Sequence, residues 1–110
     1  MEIKYKSCEL DKRSTYIHTR GKAVSIKELA DGEIIKPKEI VVYSDVNNKG
    51  EEVVVTSIID ENGAHYATNS PYFHDELMYI IELMDGEPFD IAIQKNVTKA
   101  GRVSVSCGLA

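Results

Sequence analysis

The stretch Glu51 to Met84, EEVVVTSIIDENGAHYATNSPYFHDELMYIIELM, decides the fold. A β-branched run, Val53 to Ile59, meets Asn62-Gly63 and returns as Ala64 to Thr68, which is the pattern of two antiparallel strands joined by a tight turn. Asn-Gly predicts a two-residue turn with both central residues at positive φ. Ser70 then offers an N-cap oxygen, Pro71 suits the first helical position, and Asp75 and Glu76 sit near the positive end of the dipole. Phe73, Leu77, Ile80, Ile81 and Met84 form one apolar stripe at helical spacing. Asp85-Gly86 ends that helix and Pro88 prevents its continuation.

Working outward, Glu39 to Val46 reads as a strand preceded by the interruption Lys36-Pro37-Lys38, because proline cannot donate to a central ladder. Asn47 to Gly50 is a polar turn into the hairpin. Val24 and Ile26 alternate, Leu29 to Gly32 reads as an Asp-Gly turn, and Glu33 to Ile35 as a short strand. After the helix, Phe89, Ile91 and Ile93 point inward, Gln94 to Gly101 forms a basic hairpin loop, and Arg102 to Cys107 returns. Residues 1 to 20 read as extended, a strand or arm followed by a short strand. The whole predicts one domain over 1–110, mainly β with one helix. Strands, one helix and a closing hairpin is the order of a five-stranded OB-like barrel; a small α+β sandwich is the competing architecture.

The chain has 110 residues, 43% hydrophobic and 28% charged, which fits one globular core. No apolar run approaches bilayer-spanning length, and the first residues lack the apolar segment of a signal peptide, so a cytoplasmic protein without membrane contact is expected. Cys8 and Cys107 have no metal-ligand spacing, and Cys107, following the Val103, Val105 alternation, reads as a small buried or edge residue. His18, His65 and His74 fall on three different elements, and no nucleophile elbow, phosphate loop or zinc-binding helix motif occurs. The expectation is a binding protein with no cofactor, not an enzyme.

The net charge of −5 is unevenly distributed: +3 over residues 1–22, −11 over 23–91, and +3 from Ala92 onward, where Lys95, Lys99 and Arg102 occur without an acid. Both ends of the chain suit a basic groove, with the acidic middle facing elsewhere. Tyrosine is abundant, with six residues against two phenylalanines and no tryptophan. Aromatic faces on a sheet with cations nearby bind single strands without sequence preference. Tyr43 and Tyr66 are the candidate stacking residues, and Lys36, Lys38, Lys49, Lys95, Lys99 and Arg102 the candidate phosphate contacts. Tyr72 and Tyr79, on the helix, read as packing at the rim of its apolar stripe.

These features resemble the single-stranded DNA-binding proteins of small protein-primed Bacillus phages, over roughly residues 24–109. The shared features are the Asp-Gly turn before Ile34-Ile35, the strand tyrosine Tyr43, the Thr-containing strand Val55 to Ile58, Gly63 followed by Tyr66, and the Lys99 to Gly101 hairpin. The resemblance implies an OB-type protein that coats single-stranded DNA during phage replication, through strand tyrosines at the positions of Tyr43 and Tyr66. Single-stranded DNA is the expected partner, with replication proteins as further candidates. Oligomeric state, monomer or dimer, stays open. A different class is also compatible with the residues: an acidic module that blocks a host factor through Asp60, Glu61, Asp75, Glu76, Glu82, Asp85 and Glu87.

Overall fold

A computed structural model describes all residues, 1–110. The strands are β1 (Glu2–Lys6), β2 (Val24–Ser25), β3 (Ile34–Ile35), β4 (Pro37–Val46), β5 (Glu52–Asp60), β6 (His65–Thr68), β7 (Ile91–Val97) and β8 (Val103–Leu109). Helix α1 is Lys12–Arg20 and α2 is Pro71–Met84, with a 3-10 turn at Ile26–Glu28. Five strands pair in the order β1-β4-β5-β6-β2 and three in the order β3-β7-β8. All pairings are antiparallel except β2 with β6.

One run of chain joins the two sheets. Only Lys36 separates β3, which pairs with β7, from β4, which pairs with β5. Pro37 lacks an N–H, and the β4–β5 register shifts between Pro37 and Glu39, so the expected proline break is where the chain turns from one sheet to the other. At the opposite seam β2 pairs with β6, and the 3-10 turn that follows packs against both β6 and β8. No ladder links β6 to β8. The strands therefore form two sheets rather than the single closed five-stranded ladder expected.

The core draws on both sheets: Ile35, Ile40, Ile58, Ile91, Ile93, Val105 and Cys107 meet Ile26 and Leu29 from the 3-10 region and Phe73, Leu77 and Ile80 from α2. The α2 stripe is as expected, and each fully buried side chain of this kind contributes about 1.5–3 kcal/mol. Ser70 caps the helix, its Oγ accepting from the Phe73 N–H at 3.3 Å and donating to the Val105 carbonyl at 2.8 Å, so the cap also ties α2 to β8. Cys107 is a buried free thiol, pushed up to about 12 by burial and the nearby Glu76.

Three expectations change. Residues 12–20 are a helix: Asp11 Oδ1 accepts from the Ser14 N–H, Arg20 lies in the last turn where the dipole favours a cation, and Gly21 donates back to the Ile17 carbonyl. The Asp60–Gly63 turn has only Gly63 at positive φ, not Asn62. Asp60 Oδ1 instead accepts from the Asn62 and Ala64 N–H groups, and the Gly63 N–H returns to the Asp60 carbonyl, a type I turn followed by a left-handed glycine. The basic loop expected over Gln94 to Gly101 is mostly strand, since the β7–β8 ladder runs out to Val97–Val103 and the turn is only Thr98 to Gly101.

Candidate nucleic-acid interface

The β4–β5 and β7–β8 hairpins rise on either side of the β6–α2 junction. On one side Glu52, Val53 and Val54 with Asn69, Ser70, Pro71 and His74 enclose a recess of about 340 Å³. On the other, Lys27, Tyr72, Val103, Ser104 and Val105 border the same Asn69–Pro71 segment around about 220 Å³. Together they make a shallow cleft crossing the junction. Val97 and Val103, directly paired, are exposed, so the β7–β8 hairpin projects past the core as an arm.

The cations at this end are unneutralised. Lys4 and Lys6 are the only Lys or Arg side chains in ion pairs, with Glu2 and Glu9, so Lys27, Lys49, Lys95, Lys99 and Arg102, like the remaining Lys and Arg side chains, are free of carboxylate partners. Lys49 lies in the Asn47–Gly50 turn and Lys99 in the Thr98–Gly101 turn, with Arg102 just after it. Lys95 faces Val105 across the ladder, and its backbone N–H donates to Asp31 Oδ1 at 2.8 Å, which docks the Asp31-Gly32 turn on β7. Tyr72, 67% exposed, presents its ring beside Lys27 and Val103.

The remaining expected site residues lie elsewhere. Lys36, between β3 and β4, accepts at its carbonyl from the Glu61 N–H, beside the acidic Asp60-Glu61 turn. Lys38 borders a separate recess of about 290 Å³ with Tyr5, Ile81 and Phe89. Tyr66 is half-buried against the core. Its hydroxyl is raised by burial first and then by Asp60 and Glu33, which places it at an acidic end. Tyr43 is only 7% exposed, and its hydroxyl is raised by burial and Asp45 against the opposing pull of Arg20. The structure thus puts Lys95, Lys99 and Arg102 together on the β7–β8 hairpin and Lys49 in the β4–β5 turn, leaves Lys36 and Tyr66 near the acidic Asp60-Glu61 turn and Lys38 at a separate recess, and buries Tyr43.

Helix α1 lies on the outer face of the five-stranded sheet, against β5. Alternation puts Glu39, Val41 and Tyr43 of β4 on that face, with Ser57 opposite Val41 and His65 opposite Ile59. His18 enters from α1: its Nε2 is 3.0 Å from Glu39 Oε1 and its Nδ1 2.7 Å from Ser57 Oγ, while Ser57 Oγ is 2.7 Å from His65 Nε2. A carboxylate only accepts, so His18 donates from Nε2; with a neutral ring its Nδ1 then accepts from the Ser57 hydroxyl, which accepts from His65 Nε2–H. That relay leaves His65 Nδ1 without a partner. Burial lowers the His65 pKa first, and His18, in edge contact at 5.8 Å between ring centroids, lowers it further, against the Lys22 carbonyl. A serine between two imidazoles suggests nucleophilic chemistry, but Ser57 is fully buried and its hydroxyl is engaged on both sides, so the set clamps α1.

Lys27 and Tyr72 were not marked by the sequence as site residues. The one available signal is register: Tyr72 falls off the Phe73, Leu77, Ile80 stripe at the start of α2.

An acid-free basic hairpin beside a cleft with an exposed aromatic defines a small β module suited to an extended, anionic polymer. The family model described as phage single-stranded DNA-binding protein matches residues 14–110, and the chain belongs to that family. The match reaches into α1, further toward the N-terminus than the resemblance read from the sequence. This is a family of binding proteins rather than of enzymes. No curated protein and no solved structure matches the chain, and no helix is long and apolar enough to cross a membrane.

Proposed function

We propose that the protein binds single-stranded DNA without sequence preference during phage DNA replication, tracking the strand past the β7–β8 hairpin and across the β6–α2 junction. The observation that carries this reading is the hairpin itself: Lys95, Lys99 and Arg102 lie in a segment without an acid from Ile91 to Ala110, in a chain of net charge −5, with Lys27 bordering the adjacent cleft and Lys49 in the β4–β5 turn. Phosphate contacts come from these groups, with Lys36 and Lys38 extending the path. Tyr72 is the ring already open to a base. Tyr43 and Tyr66 are the strand tyrosines of the proposal, and Tyr43 stacks only where α1 lifts from the sheet. The order of elements, the β3–β7 and β4–β5 pairings made by one bent run, and two hairpins flanking a cleft support an OB-type barrel as the scaffold.

The test is anisotropy of a labelled oligo-dT, with tyrosine quenching, across a salt series. Single-strand affinity falls with salt at a log-log slope of about −0.7 per neutralised phosphate, so Lys99→Gln with Arg102→Gln flattens the slope by about 1.4. Tyr72→Ala reduces quenching and weakens binding by about 1–3 kcal/mol. A slope unchanged by the double variant, or a flat salt response of the native protein, overturns the proposal.

A further inference from the structure

Beyond Tyr72, which borders the cleft, the outward face of α2 plays no part in the core or the cleft. Tyr72, Glu76, Tyr79 and Leu83 follow one another at helical spacing along about 16 Å. Tyr79 and Leu83 are each 61% exposed, and with Glu82 and Asp85 they border an open recess of about 460 Å³. From Gly50 to Gln94 the sequence contains ten acids and no Lys or Arg, and the recess beside Tyr79 and Leu83 is bordered by acids and no cation. An acidic surface studded with large apolar side chains fits a partner that is basic and carries apolar side chains of its own.

The protein carries such a surface elsewhere. The outward side of α1 presents Lys12, Arg13, Tyr16, Ile17 and Arg20, all exposed, Tyr16 at 66%, while His18 points inward. Arg13, Tyr16, Ile17 and Arg20 share one face at three- and four-residue spacing. Helix α1 packs against β5 and α2 against β8, so the two faces look in different directions and do not cover one another within one copy. We infer that the acidic Tyr79–Leu83 face of α2 docks on the basic Arg13–Arg20 face of α1 from a second copy of this chain. The two patches differ, so the contact is head to tail and does not close on itself; repeated, it builds a row of proteins. Arginines over tyrosine rings supply cation–π attraction in addition to the ion pairs. On a single strand such a row is cooperative coating. Its setting rests on the single-strand reading above; the contact itself does not.

Charge reversal tests it. One protein carries Glu76→Lys with Glu82→Lys, a second Arg13→Glu with Arg20→Glu, and a third all four, which restores the native net charge. Sedimentation without DNA reads the contact alone, binding to a dT oligomer of a single site reads the single-strand reading alone, and binding to long dT reads both. The native protein associates with rising concentration and binds long dT cooperatively. Each double reversal stays monomeric and loses cooperativity by about tenfold or more, because like charges facing across a contact cost beyond the ~1.4 kcal/mol of one factor of ten. Mixing the two double reversals, or carrying all four changes in one chain, restores both properties. Reversed proteins that behave like the native one, or a mixture that fails to recover, overturn the inference and point α2 to a different basic protein. A native protein that is monomeric throughout and non-cooperative on long dT overturns it outright. A single-site oligomer left unbound at low salt defeats the single-strand reading instead.

Discussion

The two helices lie on the same protein and are held by opposite means. Helix α2 buries Phe73, Leu77 and Ile80 in the shared core, and its cap serine also bonds β8. Helix α1 buries a single residue, His18, and that residue is polar. Apolar burial is non-directional and adds over the whole contact, whereas a hydrogen-bonded clamp contributes modestly and only while every partner stays in place. Thus α2 belongs to the cooperative fold, and α1 is a cover whose attachment can fail without the rest.

The largest effect that would sharpen this contrast is in the core. Phe73→Ala removes a fully buried ring between α2 and the sheets and destabilises by about 3–5 kcal/mol, a large part of a small domain's stability. Denaturant unfolding should show a lowered midpoint reported alike by helix and sheet signals. A loss confined to α2 would mean that the helix is not part of the core unit.

The same contrast decides what can be read from the residues. The α2 stripe, the strands β5 and β6 and the cap at Ser70 are all local patterns, legible because each is repeated at its own period within a few positions. Lys-Arg-Ser-Thr-Tyr-Ile-His-Thr-Arg shows no apolar stripe, and its anchor reaches Glu39 and Ser57, which lie 21 and 39 residues along the chain. A helix docked by polar contacts to distant positions leaves no periodic trace. The basic cluster Lys95, Lys99 and Arg102 is legible as a run without acids, but Lys27 and Tyr72 join it only because β8 passes the β6–α2 junction. Tyr43 reads as an open strand residue because nothing in its own strand announces α1.

The next effect is local. His18→Ala leaves the Glu39 carboxylate and the Ser57 hydroxyl without a shared partner in a largely closed space, at a cost of about 1–3 kcal/mol. Amide exchange should accelerate across residues 12–20 while β5 and β7 keep their protection, and Tyr43 should become accessible to fluorescence quenchers. Equal loss of protection in α1 and the sheet would break the distinction drawn between the helices.

The smallest effect is set by pH. His65 binds its proton less readily in the folded protein than in an exposed chain, because burial and His18 disfavour the cation while only the Lys22 carbonyl favours it. As pH falls through the ordinary histidine range, near 6.5, the state with α1 undocked takes up a proton that the docked state refuses. Docking is therefore strongest above that range and weakens below it until the folded group itself titrates. One site can supply at most about 1.4 kcal/mol per pH unit, and a partial difference in protonation supplies less. The carboxylate of Glu39 also faces the relay, through His18, so the contribution of His65 is isolated by substitution. His65→Gln retains an amide donor near the Nε2 position and removes the titration. Exchange of the α1 amides, corrected for the intrinsic pH dependence, should accelerate between pH 7 and 5.5 in the native protein and stay level in the variant. A native α1 that holds equally well at both pH values would show that the relay accepts its extra proton without loosening, and would place the weakness of this helix in its missing apolar contacts alone.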